Sequence, residues 1–439
     1  MTFMHILRAV SARTAASPAF FSTLTLLIAF GLVLSSAVGP AVADQWQGQE
    51  VEKEGVTHVM NPAAPAESPS TSEARELWRL GGDTDDDDEF FGVISTILTD
   101  DEGNVYLLDG QLNHVMIYSP TGDFMREIGR EGEGPGEFRS ATGMFFTPEG
   151  DVAVIQSFPG KIVILTREGD PIGDYPLPEP EGAGFFVLVN GQSYGSNVVL
   201  QGGVMSMNEQ RWQQERYLAS VDKTGTEVAK YHSDTRVIDF ANPIMDDRAW
   251  DTFDRRWTVG SDGRVYAATV YQDYAISVWN ADGTMNRVIE REYTHRKRTT
   301  DEMQIMENMM GVFAKRIPNC TVKITEWTKD IETMYVHDDG TMWVLTSDGS
   351  RDLPDGSLGV FDIFDPQGRF VRQVTIMGEG NPMRDGYYFV GDRLYVVTDL
   401  VQASISLQAQ GETIDLGGEE PEPMSVICYQ MDEELITSR

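Results

Sequence analysis

The residues best suited to chemistry are few and scattered. Beyond residue 43 the histidines are His58, His114, His232, His295 and His337. A catalytic zinc needs about three protein ligands. None of these histidines stands in an HExxH or other paired metal spacing, so a zinc site would have to draw on distant segments. An acidic run, Asp83, Asp85, Asp86, Asp87, Asp88 and Glu89, has the oxygen donors that calcium takes. It lacks the glycine and the terminal bidentate acid of the usual calcium loop, so it reads as a solvated, self-repelling turn. Asp109, Asn113 and His114 form a third polar group. They read either as a polar rim to a channel or, more simply, as side chains that brace a turn by bonding to nearby backbone. There is no P-loop, and no GxGxxG that opens a helix after a strand. The glycines at 129–136 lead to Phe138 and another strand region instead of a helix. No catalytic, cofactor-binding or metal-ligating residue is assigned on this basis, and no cofactor is expected.

The elements around these residues repeat. In the segment 99–129 a tight turn at Glu102-Gly103 precedes the strand VYLL, a loop, the strand HVMIYS, a turn at Thr121-Gly122 and the strand FMREIG. The first turn returns at Gly150, Gly191, Gly263, Gly340 and Gly391, and the second at Gly169, Gly225, Gly283 and Gly368. Runs of β-branched and aromatic residues over a few positions mark the strands. A unit of four short strands at a period of about 40–75 residues predicts a β-propeller, and the six first turns predict six four-stranded blades. The sixth unit ends after a third strand at 424–430, whereas ARELWRLGG (74–82) has the form of a missing fourth strand. Pairing the two closes the ring and removes two exposed edges. One helical insertion is predicted between blades 4 and 5. In 295–318, Thr299 and Glu302 have capping-box spacing, and Met303, Met306, Met310 and Phe313 share a face. That stripe reads as a packing face or as an adaptable partner surface. The neighbouring Arg296-Lys297-Arg298 is expected to meet acidic loops of the same chain.

Residues 1–43 have a basic start, an apolar run at 20–38 and Ala41-Val42-Ala43 before Asp44, which predicts an export signal cleaved before Asp44. The alternative is a retained anchor helix, the one membrane contact the sequence offers. Residues 44–73 read as a flexible linker with at most one short strand at 55–60, and 74–439 as the propeller domain. The chain of 439 residues carries 34 Lys and Arg against 69 Asp and Glu, a net charge of −35. That excess excludes nucleic acid and anionic membrane surfaces as partners. Export places the protein in the periplasm or outside the cell. There, Cys320 and Cys428 either pair or remain two small buried side chains.

The segment IGREGEGPGEF, together with VYLLD and NHVMIY, resembles the NHL-repeat, TolB-like six-bladed propellers. It most resembles exported bacterial six-bladed propellers of unassigned function, for which Gly-Glu-Gly-Pro-Gly-Glu-Phe at 132–138 is the more specific mark and Gly378-Glu379-Gly380 with Pro382 a weaker copy. The resemblance spans about residues 75–432. It departs at Asn190-Gly191 in blade 3 and between blades 4 and 5. It implies fold and export. It does not imply an activity, since this architecture carries lyases, lactonases and binding scaffolds alike. The expected role is an exported binding or interaction module whose partner, a protein or a small molecule, sits at a propeller face. The competing expectation is a metal-dependent (calcium) hydrolase, lactonase or lyase with its site in the axial channel.

Overall fold

The computed structural model describes residues 46–84, 89–178, 184–208, 211–409, 414 and 422–432. The export signal of 1–43 and Asp85 to Asp88 of the acidic run lie outside the described residues. The chain is a six-bladed β-propeller. Blades 1 and 2 are the meanders Ile94–Thr99 to Phe124–Ile128 and Ala141–Phe146 to Pro171–Asp174. Blade 3 runs from Phe185–Tyr194 to Glu227–Ile238, and blade 4 from Trp257–Val259 to Met285–Arg291. Blade 5 runs from Ile331–Val336 to Phe370–Met377. The first strands of neighbouring blades lie side by side around the axis.

Between blades the core is apolar. Val105–Asp109, the second strand of blade 1, is buried along its whole length, because one side faces blade 6 and the other blade 2. That explains why such strands read as continuous apolar runs and do not alternate. The repeating turn glycines all take positive φ, from +60° at Gly391 to +97° at Gly169, a region closed to most side chains. Gly191 is the exception. It lies within Phe185–Tyr194, and the first turn of blade 3 falls at Gly195 instead. The last three strands of this blade run to 12 residues each, which displaces the turn from the repeat spacing.

Ring closure follows the sequence expectation. Blade 6 comprises Gly386–Val390, Arg393–Val397, Ser425–Gln430 and, from the other end of the chain, Arg75–Gly81. The last two pair antiparallel, with Trp78 opposite Cys428 and Gly81 opposite Ser425. The reading of 44–73 as a flexible linker is corrected. Val56–Asn61 pairs parallel with the outer strand of blade 4, and Gln49–Lys53 folds back on it. Ser70–Glu73 pairs parallel with the outer strand of blade 5. These strands cover two sheet edges. Val56–Asn61 is the short strand expected at 55–60, while the other two escape a compositional reading because an edge strand is held by backbone bonds that need no apolar signature. The two cysteines are free. Cys428 is buried in the closing blade, opposite Trp78, while Cys320 follows the helical insertion.

Among the described residues three helices decorate the ring: α1 (Asp247–Trp250), α2 (Thr300–Ala314) and α3 (Leu400–Gln408). In a four-stranded meander the second-to-third and fourth-to-first connections emerge at the same end. The helix α1 joins blades 3 and 4, α2 joins blades 4 and 5, and α3 sits between the second and third strands of blade 6. All three therefore lie on one face, here called the upper face. The predicted capping box of α2 forms: Glu302 N–H donates to Thr299 Oγ1 at 3.2 Å, and Thr299 N–H to Glu302 Oε2 at 2.7 Å.

Candidate functional site

On the upper face the helices enclose a cavity of about 910 Å³ over blades 4 to 6. One wall is apolar. It consists of Met306, Met309 and Phe313 of α2 and Ile405 of α3, with Met383 and Trp250 at the rim. Of the stripe predicted on α2, Met306, Met310 and Phe313 line the cavity together with Met309, Met310 being buried, and Met303 is not in the lining. The floor is polar and comes from the inner strand of blade 5 (Glu332, Thr333, Tyr335), Tyr387 of blade 6 and the segment leading into blade 4.

That last segment turns sharply. Phe253 holds a positive φ of 47° while 4% exposed, and Arg256 N–H donates to Phe253 O at 2.9 Å. A bulky residue in this region is strained by about 1–3 kcal/mol and persists only where packing imposes it. Its ring packs edge-on against His232 at 5.5 Å. The turn sends two adjacent arginines to different fates. Arg256 is 1% exposed, pairs with Asp251 and donates to Val270 O at 3.1 Å. Arg255 is anchored only by its backbone carbonyl, which accepts from Thr333 Oγ1 at 2.8 Å and Met334 N at 3.1 Å. Its side chain is accessible in the cavity, and among the described residues the guanidinium makes no ion pair and no hydrogen bond. Burial opposes its charge, but Tyr388, Asp254, Tyr335 and Glu332 nearby hold its pKa above the usual value.

Several other charges around the cavity are compensated. Glu332 accepts from Arg351 at 2.7 Å and lies 3.3 Å from Lys329. Glu302 lies between Arg296 at 2.8 Å and Arg351 at 2.6 Å. Burial pushes its pKa up, but the Thr299 N–H and the two arginines outweigh this and hold it at about 2. Arg298 pairs with Asp247 at 2.6 Å, and Lys297 with Glu326 at 2.8 Å. The basic triplet therefore meets acids of its own chain, as the sequence predicts. Asp385 differs. Burial, reinforced by the charge of Asp399, raises its pKa to about 6 even though the N–H groups of Asn381 and Asp399 donate to it at 2.6 and 2.9 Å. The Tyr387 hydroxyl beside it is buried and has no hydrogen-bond partner among the described residues.

The residues singled out in the sequence fall elsewhere. Asp109 is buried, and its carboxylate accepts from the N–H groups of Gly92, Val93, Gln111 and Leu112 at 2.6–3.1 Å. Asn113 takes φ +56° and accepts from Ala141 N at 3.2 Å, tying blade 1 to blade 2. His114 lies 3.0 Å from Glu127. His58 pairs with Glu290 at 2.7 Å and His295 with Asp330 at 2.9 Å. His337 packs on Trp343 at 5.1 Å, and burial lowers its pKa and that of His232. The five histidines do not converge. Among the described residues no three His, Cys, Asp or Glu side chains are grouped as metal ligands. Of the acidic run, Glu89 caps the closing strand by accepting from Gly81 N at 3.0 Å. The glycine motif at 132–138 is a junction between blades, with Glu137 folding back onto Gly134 N at 2.8 Å and Phe138 buried between blades 1 and 2. Arg255, Asp385, Tyr387 and α3 were not legible as a site. The one available sign was the adjacent pair of arginines, Arg255-Arg256, in an acidic chain.

A family model described as "6-bladed beta-propeller" matches residues 83–180, which hold blades 1 and 2. Among solved structures, a member of the duf4221 family from Bacteroides vulgatus is 11% identical, with 83% of this chain and 98% of that chain covered and a TM-score of 0.46. The calcium-binding protein regucalcin from Agrobacterium tumefaciens is 10% identical, covering 83% and 96%, at a TM-score of 0.42. A gluconolactonase from Xanthomonas campestris is 8% identical, covering 81% and 98%, at 0.39. No curated protein matches the chain. Among the described residues no helix is long and apolar enough to cross a membrane.

Proposed function

We propose that this chain is an exported binding module that holds a small-molecule ligand in the upper-face cavity. The observation that carries the reading is the cavity itself, about 910 Å³ with an apolar wall, a polar floor and, among the described residues, one unpaired cation. Ligand sites combine this size range with a mostly apolar lining and a few polar groups that fix orientation. Support for export comes from the signal-like residues 1–43, and the net charge of −35 supports a ligand other than nucleic acid. The competing reading, a metal-dependent hydrolase, lactonase or lyase at the channel, needs convergent metal ligands, and the described residues supply no such group.

The test is thermal unfolding of the purified protein against a chemically varied panel of small molecules, with a parallel chelator arm. A ligand present at tenfold its Kd should stabilise the fold by about 1.4 kcal/mol. Ile405→Trp, which places bulk in the cavity, should abolish the shift. Stabilisation that survives this substitution would place the ligand elsewhere. A fall in Tm with chelator, together with about one recovered metal per chain, would move the assignment to the enzyme.

A further inference from the structure

The balance of charge around the cavity narrows the ligand. Acids outnumber bases 69 to 34 in the chain, yet cationic and anionic groups are close to equal in the cavity lining. The cations there are nearly all committed. Arg256 faces Asp251, Arg298 faces Asp247, Arg351 lies between Glu302 and Glu332, and Arg384 holds Asp399 at 2.5 Å. Arg255 alone presents a guanidinium that no described group engages. Arg255 is exposed to the cavity and uncommitted, so its guanidinium is free to pair with an anion brought by a ligand.

The kind of anion follows from the neighbours. Asp254 and Glu332 lie close enough to raise the pKa of Arg255. A dianion would meet both of them with only one free cation to offset the repulsion, whereas a monoanion would not carry that second charge. A planar guanidinium also matches a carboxylate in a two-point fork. The opposite wall is apolar and made chiefly of Met306, Met309, Ile405 and Phe313. Methionine is unbranched and polarisable, so such a wall fits a flexible chain better than a rigid ring system.

We propose that the cavity binds an amphipathic monocarboxylate, with its carboxylate on Arg255 and its unbranched apolar chain along the methionine wall of α2. This rests on the cavity being the ligand site. The probes are decanoate, decan-1-ol and decyltrimethylammonium, each below its micellar concentration and measured by titration calorimetry on the purified protein. Decanoate should bind at least about tenfold more tightly than the alcohol, as loss of a charge-assisted pair predicts, and the cation should bind least. Arg255→Met should reduce decanoate affinity to that of decan-1-ol, and Arg255→Lys should recover part of it. Because the Arg255 side chain makes no bond to the described residues, both variants should unfold at the wild-type temperature. Met309→Glu should weaken both the acid and the alcohol.

Equal affinity of wild type and Arg255→Met for decanoate would overturn the proposal, as would tighter binding of the cation. If none of the three probes binds, but another molecule stabilises the protein in a manner that Ile405→Trp abolishes, the carboxylate proposal falls and the binding-module reading stands. If decanoate binds Arg255→Met and Ile405→Trp as well as it binds wild type, both fall.

Discussion

Asn61 provides a direct measure of how firmly residues 46–73 belong to the propeller. Its side chain is 3% exposed and fully used. Oδ1 accepts from Phe370 N at 2.7 Å and from Trp46 Nε1 at 2.8 Å. Nδ2 donates to Gly368 O and Glu290 O, each at 2.9 Å. One amide thus joins the N-terminal strand to the outer strands of blades 4 and 5. Asn61→Ala withdraws this partner from the Phe370 N–H and from the Gly368 and Glu290 carbonyls in a place closed to water. A buried polar group left unmatched costs about 1–3 kcal/mol, and not all three lose their only partner, so the expected loss is about 2–4 kcal/mol. The assay is urea unfolding, with Glu50→Ala as control. Glu50 pairs with Arg369 at 3.1 Å on the surface, and its loss should cost below about 0.5 kcal/mol. Hydrogen exchange should also quicken in Phe370–Met377. A loss for Asn61→Ala no larger than the control would refute the reasoning and return 46–73 to the status of a loosely attached linker.

Two further predictions follow from the closing blade. Leu80 is 4% exposed among Phe91, Tyr118, Met424 and Val426, so Leu80→Ala should cost about 2–5 kcal/mol in urea unfolding, and a loss under about 1 kcal/mol would contradict ring closure as a stabilising device. Asp385, faced by Asp399, Arg384 and Tyr387, has a folded pKa raised to about 6 from 3.8. The folded state therefore keeps a proton that the unfolded state releases between about pH 4 and pH 6. Stability should fall as pH rises through that window, by about 3 kcal/mol in full. Asp385→Asn should remove that slope while adding a pH-independent cost for one lost acceptor, and parallel pH profiles for the two proteins would show the assignment to be wrong.

What could be read from sequence was what local chemistry enforces. Turn glycines mark the blades because positive φ excludes most side chains, and the strand 74–82 announces itself by an apolar pattern lacking a local partner. Gly191 misled because the repeat spacing presumes short strands, and blade 3 does not have them. Of the strands in 46–73 the one near 55–60 was legible, whereas Ser70–Glu73 was hidden because its bonds are backbone bonds to an edge more than 200 residues away in sequence, as Thr71 opposite Thr375 illustrates. The helix α3 has apolar residues at Leu400, Ala403 and Leu407, a period too short-lived to stand out in so β-rich a chain. The cavity was illegible for a deeper reason. Its walls come from the segment around α1, from α2, from the inner strand of blade 5 and from α3, so no local spacing records it.

The adjacent arginines show why composition and function part company here. If cations in this acidic chain merely settled on the nearest acid, Arg255 would lie on Asp254, its neighbour in sequence, or on Glu332 across the floor. Neither pair forms. Glu332 is held by Arg351 and Lys329, and Asp254 instead accepts from Thr252 Oγ1 at 3.2 Å. The backbone carbonyl of Arg255 is fixed on blade 5 by Thr333 and Met334, and the turn before it is fixed by a buried Phe253 at positive φ. Glycine would relieve that strain, so the tightly packed phenylalanine holds the turn in a shape the backbone alone does not favour. The result is one cation held away from both nearby acids, on the floor of a cavity whose other charges are largely matched. Such an arrangement does little for the fold, and it gains its stabilisation when an anion arrives.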